Sequence, residues 1–149
     1  MADLRSLYQE VIVDHTKSPR NFGVLEDTSH HAEGYNPLCG DKIALFLRIN
    51  DEDIIEDIRF IGDGCSISTA SASLMTETLK GKSLSEAAIL FQDFHHMLTL
   101  EGGHEAERLG KLAVLAGVAE FPARVKCATL AWHTFDAAIH NKLAPVSTE

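Results

Sequence analysis

Apolar residues at Leu4, Leu7, Tyr8, Val11 and Ile12 fall at i, i+3, i+4, i+7 and i+8, the stripe of an amphipathic helix. Asp3 is placed to cap its start, and Lys17-Ser18-Pro19 ends it, because proline cannot continue a helix. From Ser29 to Phe60 the period shortens to two. Residues 43–49 and 54–61 form short, β-branched, apolar runs, with the acidic turn Asn50-Asp51-Glu52-Asp53 between them as a hairpin loop. A further strand over residues 29–35 completes a small antiparallel sheet of about three strands. After Gly62-Asp63-Gly64 the helical period returns. Ile67, Ala70, Ser71, Leu74, Met75 and Thr78 share one face of a helix that stops near Gly81. Ser83 and Glu86 have the spacing of a capping box for the next helix, which turns Leu84, Ala87, Ala88, Phe91 and Phe94 inward. Glu101-Gly102-Gly103-His104 is a break. An Ala/Leu-rich helix follows over about residues 105–119, and a last helix begins near Cys127 with Leu130, Ala131, Phe135, Ala138 and Ile139 on its inner face. No repeat, low-complexity tract or linker divides the chain. The expectation is one α+β domain over residues 1–149, its sheet packed on helices.

Composition narrows the class. The chain has 149 residues, 45% of them hydrophobic and 23% charged, enough apolar material for a core that needs no staple. Lys and Arg number 13 against 22 Asp and Glu, a net charge of −9. That acidity argues against a nucleic-acid backbone or an anionic membrane as partner, and suits docking onto a basic patch of another protein. Three cysteines, an odd number without a dense framework, do not make a secreted disulfide scaffold. The N-terminus lacks the apolar core of a signal peptide, and no apolar run approaches the ~20 residues of a membrane span. A cytoplasmic home follows, with thiols available for metal or sulfur chemistry.

The placement of those thiols is informative. Cys39 lies in the turn-forming stretch Asn36-Pro37-Leu38-Cys39-Gly40-Asp41, Cys65 where a strand feeds a helix, and Cys127 at a predicted helix start behind Arg124 and Lys126. Two of the three thus sit at helix N-termini, where the backbone dipole favours an anion. Core filler is the plain alternative, since free cysteine is among the most buried residue types. No CxxC pair is present, so spacing alone makes no metal site. Asp41 changes this: two residues from Cys39 across a glycine, it can share a site with it if Gly40 takes a tight turn. Three thiolates and one carboxylate compose a tetrahedral zinc set. The eight histidines show no HxxxH pattern, and the adjacent pairs His30-His31 and His95-His96 point their rings apart. Nothing matches a phosphate-binding loop or a nucleophile elbow.

Together, Pro19-Arg20-Asn21-Phe22-Gly23, Asn36-Pro37-Leu38-Cys39-Gly40-Asp41, the run from Gly64-Cys65-Ser66 to Ser73, and Val125-Lys126-Cys127 before a helix resemble the IscU/SufU (NifU N-terminal-like) family of iron–sulfur biogenesis proteins. The resemblance covers nearly the whole chain, in the family's order. It is nearer the SufU branch. Lys126 stands where IscU proteins have histidine, and Phe121-Pro122-Ala123-Arg124-Val125-Lys126 replaces their chaperone-binding motif. The resemblance implies a zinc-dependent sulfurtransferase, partnered by a SufS-type cysteine desulfurase whose turnover it stimulates, with downstream Suf scaffold proteins as further partners. It implies Cys39, Asp41, Cys65 and Cys127 as zinc ligands and Cys39 as the sulfur acceptor. Arg124 is placed to steady charge developing on sulfur. Two alternatives stay open: a scaffold holding a [2Fe–2S] cluster on the same cysteines, and a zinc-stabilised binding module with no activity.

Overall fold

In the computed structural model the described residues are 4–37, 40–99, 109–140 and 146–147. Helix α1 (Leu4–Lys17) leads into strands β1 (His30–Asn36), β2 (Asp41–Ile49) and β3 (Ile55–Asp63). Helices α2 (Ser66–Leu79) and α3 (Leu84–Thr99) follow, then a 3-10 helix (Gly110–Glu120), α4 (Pro122–Ile139) and a short β4 (Val146–Ser147). The sheet order is β3-β2-β1-β4. The three long strands pair antiparallel, as the alternation predicts, and β4 adds a two-residue parallel edge beside Gly34 and Tyr35. Asp3 and residues 101–108 lie outside the described residues.

One face of the sheet is buried under helices. Ala32, Gly34, Asn36, Asp41, Ile43, Leu45 and Leu47 are the buried positions of β1 and β2, on strands that pack against α4, while their neighbours in sequence are more exposed. Gly34 permits the closest approach: a Cβ there would collide with the Thr134 side chain and come within 3.1 Å of Leu130 on α4. Helix α2 runs through the middle, touching α1, β3, α4 and the 3-10 helix. It is buried all round from Ser71 to Thr76, which an amphipathic reading of one face underestimates. Small Ala and Ser residues let the neighbours in, and the buried hydroxyls bond across: Ser71 Oγ to Ala128 O (2.5 Å), and Asn21 Nδ2 to Thr76 Oγ1 (3.1 Å).

The segment Pro19–Gly23 works as a strap. Arg20 N–H donates to Ser73 Oγ (2.8 Å), Gly23 N–H to Phe60 O (2.8 Å), and Phe60 N–H to Asn21 O (3.1 Å). The Phe22 ring meets Phe60 edge-on at 5.2 Å. Asn21, at φ 58, makes the turn in the left-handed region that asparagine tolerates. The strap thus ties the end of α1 to α2 and to the free edge of β3.

Three elements depart from expectation. The capping box is formed (Glu86 N–H to Ser83 Oγ and Ser83 N–H to Glu86 Oε1, both 3.1 Å), but Ala88 of that helix faces solvent. The Ala/Leu-rich segment is a 3-10 helix, not an α-helix. Its buried residues Leu112, Leu115 and Val118 recur every third position, which suits three residues per turn. The last helix begins at Pro122, not near Cys127; proline at the first turn needs no N–H and has the right φ.

One buried and one half-buried imidazole give the fold an acid limit. His15 on α1 is 1% exposed, with Nδ1 2.7 Å from Ser73 Oγ. Burial, then the nearby Arg20 charge, holds its pKa below the ordinary histidine value. Burial, then His95, does the same for His133. Folding weakens proton binding at both, so below about pH 6.5 the unfolded chain binds more protons. Stability is therefore present above that pH and lost as pH falls toward the lowered folded values. The urea midpoint should drop between about pH 7 and about pH 5, less steeply in His15→Gln. An unchanged slope in that variant would remove His15 as a source.

Candidate metal centre

The site forms where the β1–β2 hairpin meets two helices. Asn36 and Asp41 face each other across the hairpin, so both side chains point to the same, helix-covered face, and both are 0% exposed. The turn between them is closed by Gly40 N–H donating to Asn36 O (2.8 Å), with Gly40 at φ +72 in the region glycine adopts without strain. This is the tight turn expected beside Asp41. Leu38 and Cys39, on that turn, lie outside the described residues.

A buried carboxylate is costly unless its oxygens find donors. Asp41 Oδ1 accepts the Cys65 backbone N–H at 2.8 Å, at the positive end of α2. Gly64 makes room: a Cβ there would stand 3.0 Å from that same oxygen. Cys65 is the N-cap of α2, as expected, and its Sγ accepts Ser68 N–H at 3.5 Å. The Cys65 thiol lies 3.7 Å from Asp41 Oδ2.

Cys127 arrives from α4. It is fully buried, and because the helix starts at Pro122 the residue belongs to the second turn rather than to the helix start. The expectation that Cys127 sits at a helix N-terminus is thereby corrected. Its sulfur takes Asn36 Nδ2–H at 3.6 Å and approaches Ala123 O at 3.8 Å. One ligand atom each from Asp41, Cys65 and Cys127 lies within 4.8 Å of the others. Two soft sulfurs and one hard oxygen, gathered around one point, are a donor set that zinc accepts. Among the described residues this is the one such group of three or more. Cys65 and Cys127 form no disulfide.

Arg124 stands exposed on the first turn of α4, and Lys126, half-buried, precedes Cys127. Among the described residues no histidine joins this group; His95 and His133 meet edge-to-face at 6.0 Å, both beside Phe91. Asn36 was not singled out from sequence. Only the hairpin register, which pairs it with Asp41, turns its amide onto Cys127.

The fold is a small α+β domain in which a buried hairpin carboxylate and two cysteines on helices form a group that could hold a metal ion. The NifU-like N terminal domain model matches residues 7–141, and the chain belongs to that family. It is 47% identical over 135 residues to the zinc-dependent sulfurtransferase SufU of Bacillus subtilis, covering 91% of this chain and 90% of that protein. It is 45% identical over 139 residues to the iron-sulfur cluster assembly scaffold protein IscU of Streptococcus pyogenes, covering 93% and 86%. A crystal structure from Fervidobacterium islandicum, described as a putative iron-sulfur cluster assembly scaffold protein for the SUF system, superposes with a TM-score of 0.83 at 34% identity, over 89% of this chain and 96% of that one. No helix among the described residues is long and apolar enough to cross a membrane.

Proposed function

We propose that this protein is a zinc-dependent sulfurtransferase of iron–sulfur cluster assembly, taking sulfur onto Cys39 from a SufS-type cysteine desulfurase. The observation that carries the reading is the convergence of Asp41, Cys65 and Cys127 beside the turn that bears Cys39. The SufU relative supports the sulfurtransferase branch. So does Lys126, since an ammonium is a poor ligand where the resemblance to scaffold proteins would call for histidine.

Zinc, when bound, supplies a positive centre that keeps cysteine thiols deprotonated near neutral pH. Asp41, Cys65 and Cys127 would hold it with Cys39, and the Cys65 N–H on Asp41 Oδ1 orients the carboxylate before any partner arrives. In the transfer, the Cys39 thiolate attacks the terminal sulfur of the desulfurase persulfide. The bond from that sulfur to the desulfurase cysteine breaks, the cysteine leaves as a thiolate, and Cys39 becomes the persulfide. Electrons balance within the exchange, with no outside oxidant. Arg124, exposed at the start of α4, offers a cation to the charge shifting between sulfurs.

The test combines zinc-loaded protein, desulfurase and cysteine, followed by intact and peptide mass. One added sulfur on Cys39, absent without desulfurase and slower to appear in Arg124→Ala, is the expected result. An unmodified Cys39 with zinc retained would falsify the acceptor role and leave a structural zinc module. The 45% identity to an IscU scaffold supports a second reading, a [2Fe–2S] carrier. Anaerobic iron and sulfide producing a stoichiometric, cysteine-dependent cluster chromophore would favour it.

A further inference from the structure

Asn36 has a cost that its position in a strand does not explain. Its carboxamide is 0% exposed, and burying an amide away from water is unfavourable unless it is bonded. An apolar side chain would fill the same space more cheaply. Instead, the register of β1 on β2 turns the amide toward α4, where Nδ2–H points at Cys127 Sγ from 3.6 Å. Its main chain has a second duty, since Asn36 O accepts Gly40 N–H and closes the turn that carries Cys39.

We propose that Asn36 is a positioning residue for the metal centre, its side chain holding the Cys127 sulfur by an N–H···S bond. The inference rests on the reading above, in which Cys127 is a metal ligand. A sulfur that accepts an N–H gives less electron density to the metal and is fixed in direction, the two ways in which an outer partner tunes a ligand. One residue then sets both the Cys127 sulfur, through its side chain, and the closure of the Cys39 turn, through its main chain.

The experiment uses the full chain loaded with NMR-active cadmium and, separately, with cobalt(II). In the wild-type cadmium protein, an Asn36 side-chain amide proton should show scalar coupling to the metal through the Cys127 sulfur. In cobalt-loaded Asn36→Leu, a variant of similar size without the donor, the sulfur-to-cobalt charge-transfer band should move to lower energy. Cobalt should also bind about tenfold more weakly. A folded Asn36→Leu with an unmoved band and unchanged affinity overturns the proposal. Absent coupling in cadmium-loaded wild type overturns it as well, even if the variant fails to fold. A wild-type chain whose cysteines take up neither metal would sink the metal reading itself, a distinct result from either.

Discussion

Asp41→Asn should cost the protein its metal while leaving its fold in place. The asparagine keeps an oxygen for the Cys65 N–H, which Asp41 Oδ1 now accepts at 2.8 Å, so the start of α2 stays satisfied. What it loses is the anionic oxygen nearest the Cys65 sulfur, at 3.7 Å. Removing an outer partner of a metal ligand already weakens binding about 10–100-fold, and loss of a ligand's charge should exceed that, at ~100-fold or more. Competition against a chromophoric chelator measures it. Asp41→Ala should bind metal as poorly and, in addition, lose about 1–2 kcal/mol in the metal-free protein, because the Cys65 N–H loses its acceptor. Urea unfolding in the presence of chelator separates the two variants. An Asp41→Asn protein that holds zinc as tightly as wild type would remove Asp41 from the donor set.

The largest stability loss should come from Trp132→Ala. Trp132 is fully buried on α4, stacked on Phe94 of α3 with ring centroids 4.8 Å apart and tilted against Phe91 at 5.9 Å. Truncating a packed aromatic to alanine costs about 3–5 kcal/mol, a large share of the 5–15 kcal/mol by which small domains are typically stable. Trp132→Phe should cost far less, below about 1.5 kcal/mol. It keeps the stack, and it removes an indole N–H that makes no hydrogen bond among the described residues. Because Trp132 is the sole tryptophan, the variants are followed by circular dichroism rather than fluorescence. A Trp132→Ala midpoint within experimental error of wild type would mean that the α3–α4 contact does not hold the fold together.

The elements that were legible are those in which local pattern and tertiary need agree. Strand β2 alternates because one face is under helices, and the capping box at Ser83 is a contact between residues three apart. Misreadings arose where two local signals competed. The last helix was placed near Cys127 by its periodic run from Leu130, yet Pro122 had already opened it. The buried positions Leu112, Leu115 and Val118 recur at the three-residue period, and burial against four neighbouring helices goes with the tighter helix.

Cysteine and aspartate side chains at turns and element junctions declare a site by their chemistry, and the sequence alone was sufficient to name Asp41, Cys65 and Cys127 as candidates for one centre. Their convergence is another matter. They come from a hairpin, a helix cap and the interior of a helix more than sixty residues further on, and nothing local in the chain carries that distance information. Tertiary packing alone decided that α4 crosses β1 closely enough, over Gly34, to bring Cys127 to Asp41. It also decided that Asn36, unremarkable in a turn-forming stretch, places its amide on a sulfur. Residue type follows from the chemistry a site requires, whereas the meeting of residues follows from how whole elements bury their faces.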